Sequence, residues 1–529
     1  MRWSVFRLEP EREEGNQEYK LKLDPKSEER VAQLATQLNY RLNEGGGEAF
    51  YELGISDDGL PVGLTDEEAE RSFEVMDRIV ETLGAKYMVV RKEKAARGYI
   101  YELLIRKTVD IPPIQISVAL LGNVDAGKST LKGVLVSGML DDGDGLAMSQ
   151  VARYLHELKF RRSSSVSYHI LGFDDSGRSV NDELQGYNES EIYLRSSKII
   201  VLVDLAGHER YLRTTLKGVL GSVPDYTAIV VAGNAGPIGS FREHLGISVA
   251  LGIPSFIVFT KVDMTPKEIL KSNLRKVTDL LKLPGVNRIP YPVRSENDCA
   301  VAARNMPHGR IAPIFFVSNV TGEGLDLLKR FLNLLPPRLN WSEKEKGEFL
   351  TYVDDKFNVS GVGVVISGLI ESGSISVGQR ALLGPFEDGT FRTVRVKSIH
   401  VSRISVDRAV AGQFATFAIT NVDYDEVRKG MVLLDVDSKP RAVRTFKANI
   451  RVLHHPTTIR LGYEPVIQLR TIRQPVKLIH SPKPYLRTGD KAEVTFRFVK
   501  RPEYVRVGDT FVFREGRTKG LGKITEILE

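Results

Sequence analysis

The chain has 529 residues, of which 42% are hydrophobic, and a formal net charge of +7. That length predicts three or four domains, and the one cysteine, Cys299, excludes a disulfide framework and a cysteine-based metal site. We expect a protein of the reducing cytoplasm. The N-terminus lacks the apolar core of a signal peptide, and no run approaches the ~20 apolar residues of a membrane span.

The N-terminal segment, residues 1–112, predicts an α+β domain of unknown role. It is acidic, with 23 Asp and Glu against 17 Lys and Arg. Thr65 and Glu68 have the spacing of a capping box, which predicts that a helix begins there. A polar helix, a strand–turn–strand and a strand pair are predicted at residues 27–41, 49–64 and 85–106.

Residues 113–340 predict a parallel α/β domain, because short apolar runs alternate with helical patterns. The last of its helices is predicted at residues 324–335. The apolar runs that we predict as buried strands are Ile116–Leu121, Ile199–Val203, Tyr226–Ala232, Phe256–Phe259 and Ile314–Val317.

The rest of the chain predicts two small β-barrels, residues 341–438 and 439–529, because short alternating strands are separated by glycine turns. We expect no helix longer than one turn there. Residues 441–529 carry 19 Lys and Arg against eight Asp and Glu. This basic excess favours a polyanion such as RNA as partner, and a solvated basic surface is the alternative.

A phosphate-binding loop lies between the first strand and the first helix of the α/β domain. Its sequence is Gly122-Asn-Val-Asp-Ala-Gly-Lys-Ser129. In this setting the backbone N–H groups face a phosphate chain, Lys128 reaches the β- and γ-phosphates, and the Ser129 hydroxyl is a ligand of Mg²⁺. The predicted nucleotide contacts of the loop are Asn123, Val124, Asp125, Ala126, Gly127, Lys128, Ser129 and Thr130.

A γ-phosphate sensor is predicted directly after the strand Ile199–Val203. Asp204 would hold Mg²⁺ through a water, and the Gly207 N–H would bond the γ-phosphate. His208 is the candidate that orients the attacking water, so His208 and Lys128 are the predicted catalytic residues. A switch hydroxyl on Mg²⁺ is expected from Ser165, with Ser164 as the alternative.

The base motif is Thr260-Lys261-Val262-Asp263, which follows the strand Phe256–Phe259. The Asp263 carboxylate can accept hydrogen bonds from guanine N1–H and its exocyclic amine, whereas adenine would leave it unpaired, so we predict guanine. The stem of Lys261 can lie along the base plane. Thr260 stands where asparagine is usual and keeps a hydroxyl but loses an amide. Backbone N–H groups for the guanine oxygen are expected from Ser318, Asn319 and Val320.

With these motifs in order, the chain resembles a translational GTPase of the elongation factor Tu and 1-alpha type over about residues 114–529. Asp125 is typical of that superfamily, where it can help bind a monovalent cation beside the phosphates. The resemblance implies a P-loop GTPase domain and two β-barrels, here with an extra N-terminal α+β domain. Further stretches that carry it are Arg242–Leu245, Ala250–Pro254, Gly361–Gly368, Ala411-Gly412 and Arg514–Gly520.

Within the superfamily the chain is most similar to the GTP-binding-protein-1/2-like group, and we expect an archaeal member. This resemblance implies GTP hydrolysis with Mg²⁺, a monomer without membrane contact, and engagement of aminoacyl-tRNA and the ribosome. Three departures from the elongation-factor pattern, Ala126, Ser164 and Ser165, predict a hydrolysis rate that is regulated differently. The stretches that carry the resemblance are Gly47–Ala49, Val62–Leu64, Ser164–Val166, Ile170–Asp174, Val317–Gly324, His455–Ile459 and Gly462-Tyr463.

Three functions remain open at this point. The favoured one is a GTP switch that binds tRNA or ribosome and releases it after hydrolysis, with a role in translation quality control. The second is a GTP-gated adaptor that recruits RNA-decay or ribosome-rescue factors through a protein partner of residues 1–112. The third is delivery of one specialised tRNA.

Overall fold

The computed structural model describes residues 11, 15–108, 112–150, 167–184, 186–205, 219, 221, 223–515 and 518–529. The chain divides into two compact units, residues 1–209 with 225–340, and residues 210–224 with 341–529. The finer boundaries at residues 112 and 438 stay a prediction. None of the helices in the described ranges is long and apolar enough to cross a membrane.

The N-terminal part of the first unit is a four-stranded sheet with two helices. Its elements are β1 (Gln17–Lys20), α1 (Glu28–Glu44), β2 (Glu48–Leu53), α2 (Asp66–Thr82), β3 (Ala85–Ala95) and β4 (Gly98–Lys107). The strand order is β1-β2-β4-β3, with β1 and β2 parallel and the other pairs antiparallel. The predicted capping box is confirmed, because Thr65 and Glu68 bond each other's backbone N–H at the start of α2.

One predicted strand of this part is wrong. Residues 60–64 make only isolated bridges, between Pro61 and Ile55 and between Leu64 and Tyr99. Proline has no N–H to give to a ladder, and Gly63 has a φ of +90°, which takes the backbone out of the extended region.

Both faces of β2 are buried, and they face different partners. Ala49, Tyr51 and Leu53 pack in one cluster with the apolar side chains of α1 and α2. Phe50 points the other way and joins the core of the α/β part, together with Leu104 of β4. The N-terminal sheet is therefore packed between its own helices and the rest of the first unit.

The α/β part of the first unit is a seven-stranded sheet flanked by helices. Its strands are β5 (Ile114–Gly122), β6 (Ser167–Phe173), β7 (Lys198–Asp204), β8 (Tyr226–Ala232), β9 (Ser255–Thr260), β10 (Ile289–Pro292) and β11 (Ile311–Phe316). Its helices are α3 (Lys128–Ser137), α4 (Leu146–Ser149), α5 (Glu189–Arg195), α6 (Phe241–Ala250), α7 (Lys267–Lys282), α8 (Glu296–Asn305) and α9 (Leu325–Leu334). The order β10-β11-β9-β8-β5-β7-β6 is parallel except for the edge strand β6.

The second unit contains two rings of strands after a short helix, α10 (Trp341–Glu345). The first set is β12 (Leu350–Tyr352), β13 (Asp355–Val359), β14 (Gly363–Ser372), β15 (Ser374–Ser376), β16 (Arg380–Gly384), β17 (Arg392–Val401), β18 (Ile404–Val406), β19 (Arg408–Val410), β20 (Phe414–Ile419) and β21 (Val432–Asp435). A pairing of β12 with β14 closes the order β12-β21-β16-β17-β20-β14 into a ring.

The second ring is a closed barrel in the order β22-β25-β24-β23-β26-β27. Its strands are β22 (Thr445–His454), β23 (Val466–Leu469), β24 (Ile472–His480), β25 (Lys491–Phe498), β26 (Thr510–Glu515) and β27 (Thr518–Ile527). The expected fold class is confirmed: an α/β domain followed by two β-barrels, with an additional α+β part before them.

Candidate functional site

The phosphate loop joins β5, which lies between β7 and β8 in the sheet, to α3. Gly127 precedes α3 with a φ of +82°, and this end of the helix has no side-chain cap. Uncapped N–H groups at a helix N-terminus are a ready site for an anion. Gly122 is required for packing, because a Cβ there would lie 2.3 Å from the Val230 oxygen.

The Lys128 side chain lies across the loop. Its ammonium donates to the Gly122 oxygen at 3.0 Å and to the Asn123 oxygen at 2.8 Å. Burial lowers the pKa of Lys128, while the nearby Asp204 and Asp125 carboxylates act to raise it. The cation is therefore held at the place where the motif predicts phosphate oxygens.

Asp204 ends β7 beside α3 and is fully buried. The Lys132 ammonium, one helical turn after Lys128, donates to an Asp204 oxygen at 3.1 Å and to the Ser167 hydroxyl at 3.3 Å. Sequence reasoning missed Lys132, although a lysine on an otherwise apolar helix face was a visible irregularity.

The predicted magnesium ligands suit that ion in their chemistry, because hydroxyl and carboxylate oxygens are hard donors. Ser129 lies half-buried in the first turn of α3, and Asp204 ends the adjacent strand. Asp204 already has a cationic partner in Lys132. A bound Mg²⁺ would therefore share the negative charge of Asp204 with this lysine.

The base motif is tied to the phosphate loop by Thr260, the last residue of β9. Its fully buried hydroxyl donates to the Ala126 oxygen at 2.7 Å. Lys261 then adopts a φ of +60°, an uncommon conformation for a residue other than glycine, and Asp263 is exposed at the surface. The exposed carboxylate is free to meet the edge of a base.

The loop after β11 lies beside the base motif, because the Val317 N–H donates to the Phe259 oxygen at 2.7 Å. The Ser318 hydroxyl accepts from the N–H groups of Val320 and Thr321 at 3.2 and 3.0 Å and fixes the turn. Asn319 is 7% exposed, and its Oδ1 is enclosed without a hydrogen-bond partner in the described part of the chain. An unsatisfied buried polar atom costs about 1–3 kcal/mol, and such atoms in native structures are often found at functional sites.

The structure thus brings the phosphate loop, Asp204, Thr260 and Asn319 together at one edge of the sheet. Four of the predicted residues cannot be placed in this way, since Ser164, Ser165, Gly207 and His208 lie outside the described residues. Their roles stay predictions, as do the roles of the remaining site residues.

Two protein-family models match the chain, one over the α/β part and one over the first ring of strands. The model of the elongation factor Tu GTP-binding domain matches residues 114–354, and that of elongation factor Tu domain 2 matches residues 363–434. GTP-binding protein 1 of Xenopus laevis is 44% identical over 507 residues, 95% of this chain and 77% of its own. GTP-binding protein 2 of Homo sapiens is 43% identical over 538 residues, 98% of this chain and 88% of its own. The expected archaeal source is not borne out, since these relatives are vertebrate proteins.

Two solved structures share the fold at low sequence identity. Elongation factor SelB from Methanococcus maripaludis, in complex with the GTP analogue GppNHp, has a TM-score of 0.55 at 19% identity, covering 79% of this chain and 80% of that one. The GTPase-like domain of Ski7 from S. cerevisiae, bound to GTP, has a TM-score of 0.61 at 15% identity, covering 79% of this chain and 100% of that one.

Proposed function

Because the chain belongs to the translational GTPase family of elongation factor Tu, it hydrolyses GTP, and we propose that it is a cytoplasmic switch that binds aminoacyl-tRNA and the ribosome in the GTP state and releases them after hydrolysis. The observation that carries the nucleotide site is the bond from Thr260 to Ala126, because it joins the base motif to the phosphate loop.

The proposed chemistry needs no covalent intermediate, since phosphoryl transfer to water is accelerated by positioning and charge stabilisation. Lys128 would stabilise charge on the β- and γ-phosphates, and His208 would orient the attacking water. Magnesium, held through Ser129, Ser165 and Asp204, would neutralise charge that develops on the phosphates. The family typically uses Mg²⁺, whereas a monovalent cation at Asp125 belongs to this proposal alone.

The basic second barrel supports binding of tRNA. Exposed lysines and arginines on its strands and loops can neutralise phosphates, and such binding weakens steeply with salt. The exposed basic residues of this barrel include Arg451, Arg460, Lys483, Arg487, Lys491 and Arg497.

Binding of aminoacyl-tRNA in two nucleotide states tests the proposal. The affinity would be measured with GppNHp and with GDP at 50 and 200 mM salt, with deacylated tRNA as the matched ligand. We expect tighter binding with GppNHp and a loss of affinity with salt that becomes smaller in the double variant Arg487→Gln with Lys491→Gln. Equal affinity in the two nucleotide states would contradict a switch.

A GTP-gated adaptor is the second candidate. The packing of the N-terminal sheet into the core of the first unit favours an adaptor. A partner bound to this sheet would be held in a fixed position relative to the GTPase core. Deleting residues 1–112 is a poor test, since it would strip Lys198 of its Glu48 partner. Substitution of the exposed Tyr40 and Glu70 is the better test: loss of protein partners with tRNA binding intact supports an adaptor.

Competition among tRNA species in the binding assay tests the third function, delivery of one specialised tRNA.

A further inference from the structure

Thr260 holds the phosphate loop and has no proton left for a base. It occupies the position at which the base motif usually has asparagine, but its fully buried hydroxyl donates to the Ala126 oxygen at 2.7 Å. A hydroxyl has one proton, so this bond uses the only donor of the side chain. The motif therefore lacks an amide at residue 260 that could contact a nucleotide.

A side-chain amide lies nearby, in the loop that follows β11. The Asn319 Nδ2 lies 3.7 Å from the position that a Cβ on Gly127 would take, and the Thr260 hydroxyl lies 3.3 Å from that same position. The backbone of Asn319 is fixed, since its oxygen accepts from the Asp141 N–H at 2.9 Å. The amide of Asn319 and the hydroxyl of Thr260 thus both lie beside Gly127 of the phosphate loop.

The two ends of this amide differ in their surroundings. Its Oδ1 is enclosed and has no hydrogen-bond partner among the described residues, whereas its Nδ2 lies beside Gly127 of the phosphate loop. The end of Asn319 beside the phosphate loop is thus a donor. Guanine has two acceptors on its Hoogsteen edge, N7 and O6, whereas adenine has the acceptor N7 beside a donor. A donor at this place suits N7, which is an acceptor in both purines.

We propose that the side-chain amide of Asn319 donates a hydrogen bond to N7 of guanine and supplies the amide that Thr260 lacks. The two residues then divide between them the tasks of holding the loop and contacting the base. Asn319 then binds the base in addition to Asp263, which faces the opposite edge. The choice of guanine stays with Asp263, because adenine has an acceptor at N7 as well. This assignment rests on the proposed guanine nucleotide site.

Replacement of one atom of the nucleotide tests this assignment. Dissociation constants of GDP and of 7-deaza-GDP, which has carbon in place of N7, would be measured for the wild-type chain and for Asn319→Ala. The wild-type chain should bind 7-deaza-GDP about two- to tenfold more weakly than GDP, the range of one net hydrogen bond. Asn319→Ala should bind the two nucleotides equally, with its GDP affinity lowered by a similar factor.

Two further variants separate base contact from packing. Thr260→Val removes the loop bond and should weaken both nucleotides while preserving their ratio. Asn319→Asp keeps the shape of the side chain and removes the donor, so it should lose the preference for GDP as Asn319→Ala does. The thermal unfolding midpoint of each variant shows that it is folded.

The same measurements can overturn the assignment. If Asn319→Ala kept the wild-type ratio of GDP to 7-deaza-GDP affinity, the amide would only pack against the loop. If the wild-type chain bound GDP and 7-deaza-GDP equally, N7 would have no donor at all. Failure of the wild-type chain to bind GDP would instead refute the nucleotide site, a different result from either.

Discussion

Replacing Glu48 by glutamine should destabilise the first compact unit by about 3–5 kcal/mol, the usual effect of breaking a buried ion pair. Glu48 is fully buried, and its oxygens lie 2.9 and 3.0 Å from the Lys198 ammonium and 3.0 Å from Arg106 Nε. One carboxylate therefore faces two basic side chains. Glutamine keeps the shape of the side chain but removes the negative charge that faces Lys198 and Arg106.

The two cations would respond differently. Burial lowers the pKa of Lys198 to about 7, against the opposing effect of Glu48, so this side chain can lose its proton when Glu48 is gone. Arg106 cannot do so, because a guanidinium keeps its proton in proteins. The larger part of the loss should therefore come from Arg106, which keeps a bond to the Asn333 oxygen at 2.7 Å.

Urea unfolding followed by circular dichroism at pH 7.5 measures the effect. With a slope of ~3 kcal/mol per molar urea, the midpoint should fall by about 1–1.7 M. Glu44→Gln, an exposed acid at the end of α1, is the matched control and should stay within about 0.5 kcal/mol of wild type.

A double variant and a threshold complete the test. Glu48→Gln combined with Lys198→Met should be less destabilised than the sum of the single variants, because the two side chains are in contact. A loss below about 1 kcal/mol in Glu48→Gln alone would refute the reasoning that this cluster stabilises the packing of the N-terminal sheet.

Three further predictions concern the nucleotide site and the core. Asp263→Asn should weaken GTP at least about tenfold in a competition assay and shift preference toward xanthosine triphosphate, because the new amide is a donor for the 2-oxo group; unchanged GTP affinity would contradict the base motif. Lys132→Thr should lower the Mg²⁺ concentration needed to retain GDP by about fivefold, ~1 kcal/mol, because Asp204 loses a competing cation. An Mg²⁺ titration of GDP release measures this shift, and the absence of a shift would contradict a role of the Lys132–Asp204 pair in Mg²⁺ binding. Burial raises the pKa of Cys299 to about 12, so at pH 8 its alkylation in the folded chain should be about 10³-fold slower than in urea, and equal rates would contradict the packing of α8.

Local sequence patterns predict where the phosphate loop and the base motif lie in the fold, after β5 and after β9. The phosphate loop is defined by short-range conformations such as the φ of +82° at Gly127, and the parallel order of the strands then brings the motifs to one edge. The interactions of single side chains were harder to predict. The sequence predicts a role only for the backbone of Asn319, and it predicts no role for Lys132, whose ion pair with Asp204 depends on the packing of α3 against β7.

The packing of the N-terminal sheet could not be predicted. In β2, Glu48 and Glu52 lie on the same face of the strand as Phe50, and two charged residues on one face favour a face in water. Both glutamates are buried instead, because Lys198 and Arg304 from the α/β part pair with them. These partners are 150 or more residues away in the sequence, so the pattern of β2 alone does not reveal them.

The rate of GTP hydrolysis on the ribosome tests the central claim most directly. Single-turnover hydrolysis would be measured with isolated ribosomes, with aminoacylated or deacylated tRNA, for the wild-type chain and for His208→Ala. We predict stimulation by ribosomes with aminoacyl-tRNA in the wild-type chain. We predict at least ~100-fold slower stimulated hydrolysis in His208→Ala with GTP affinity retained, the loss expected when the attacking water is no longer oriented. Equal rates in the two chains, or no stimulation of the wild-type chain, would contradict a translational switch.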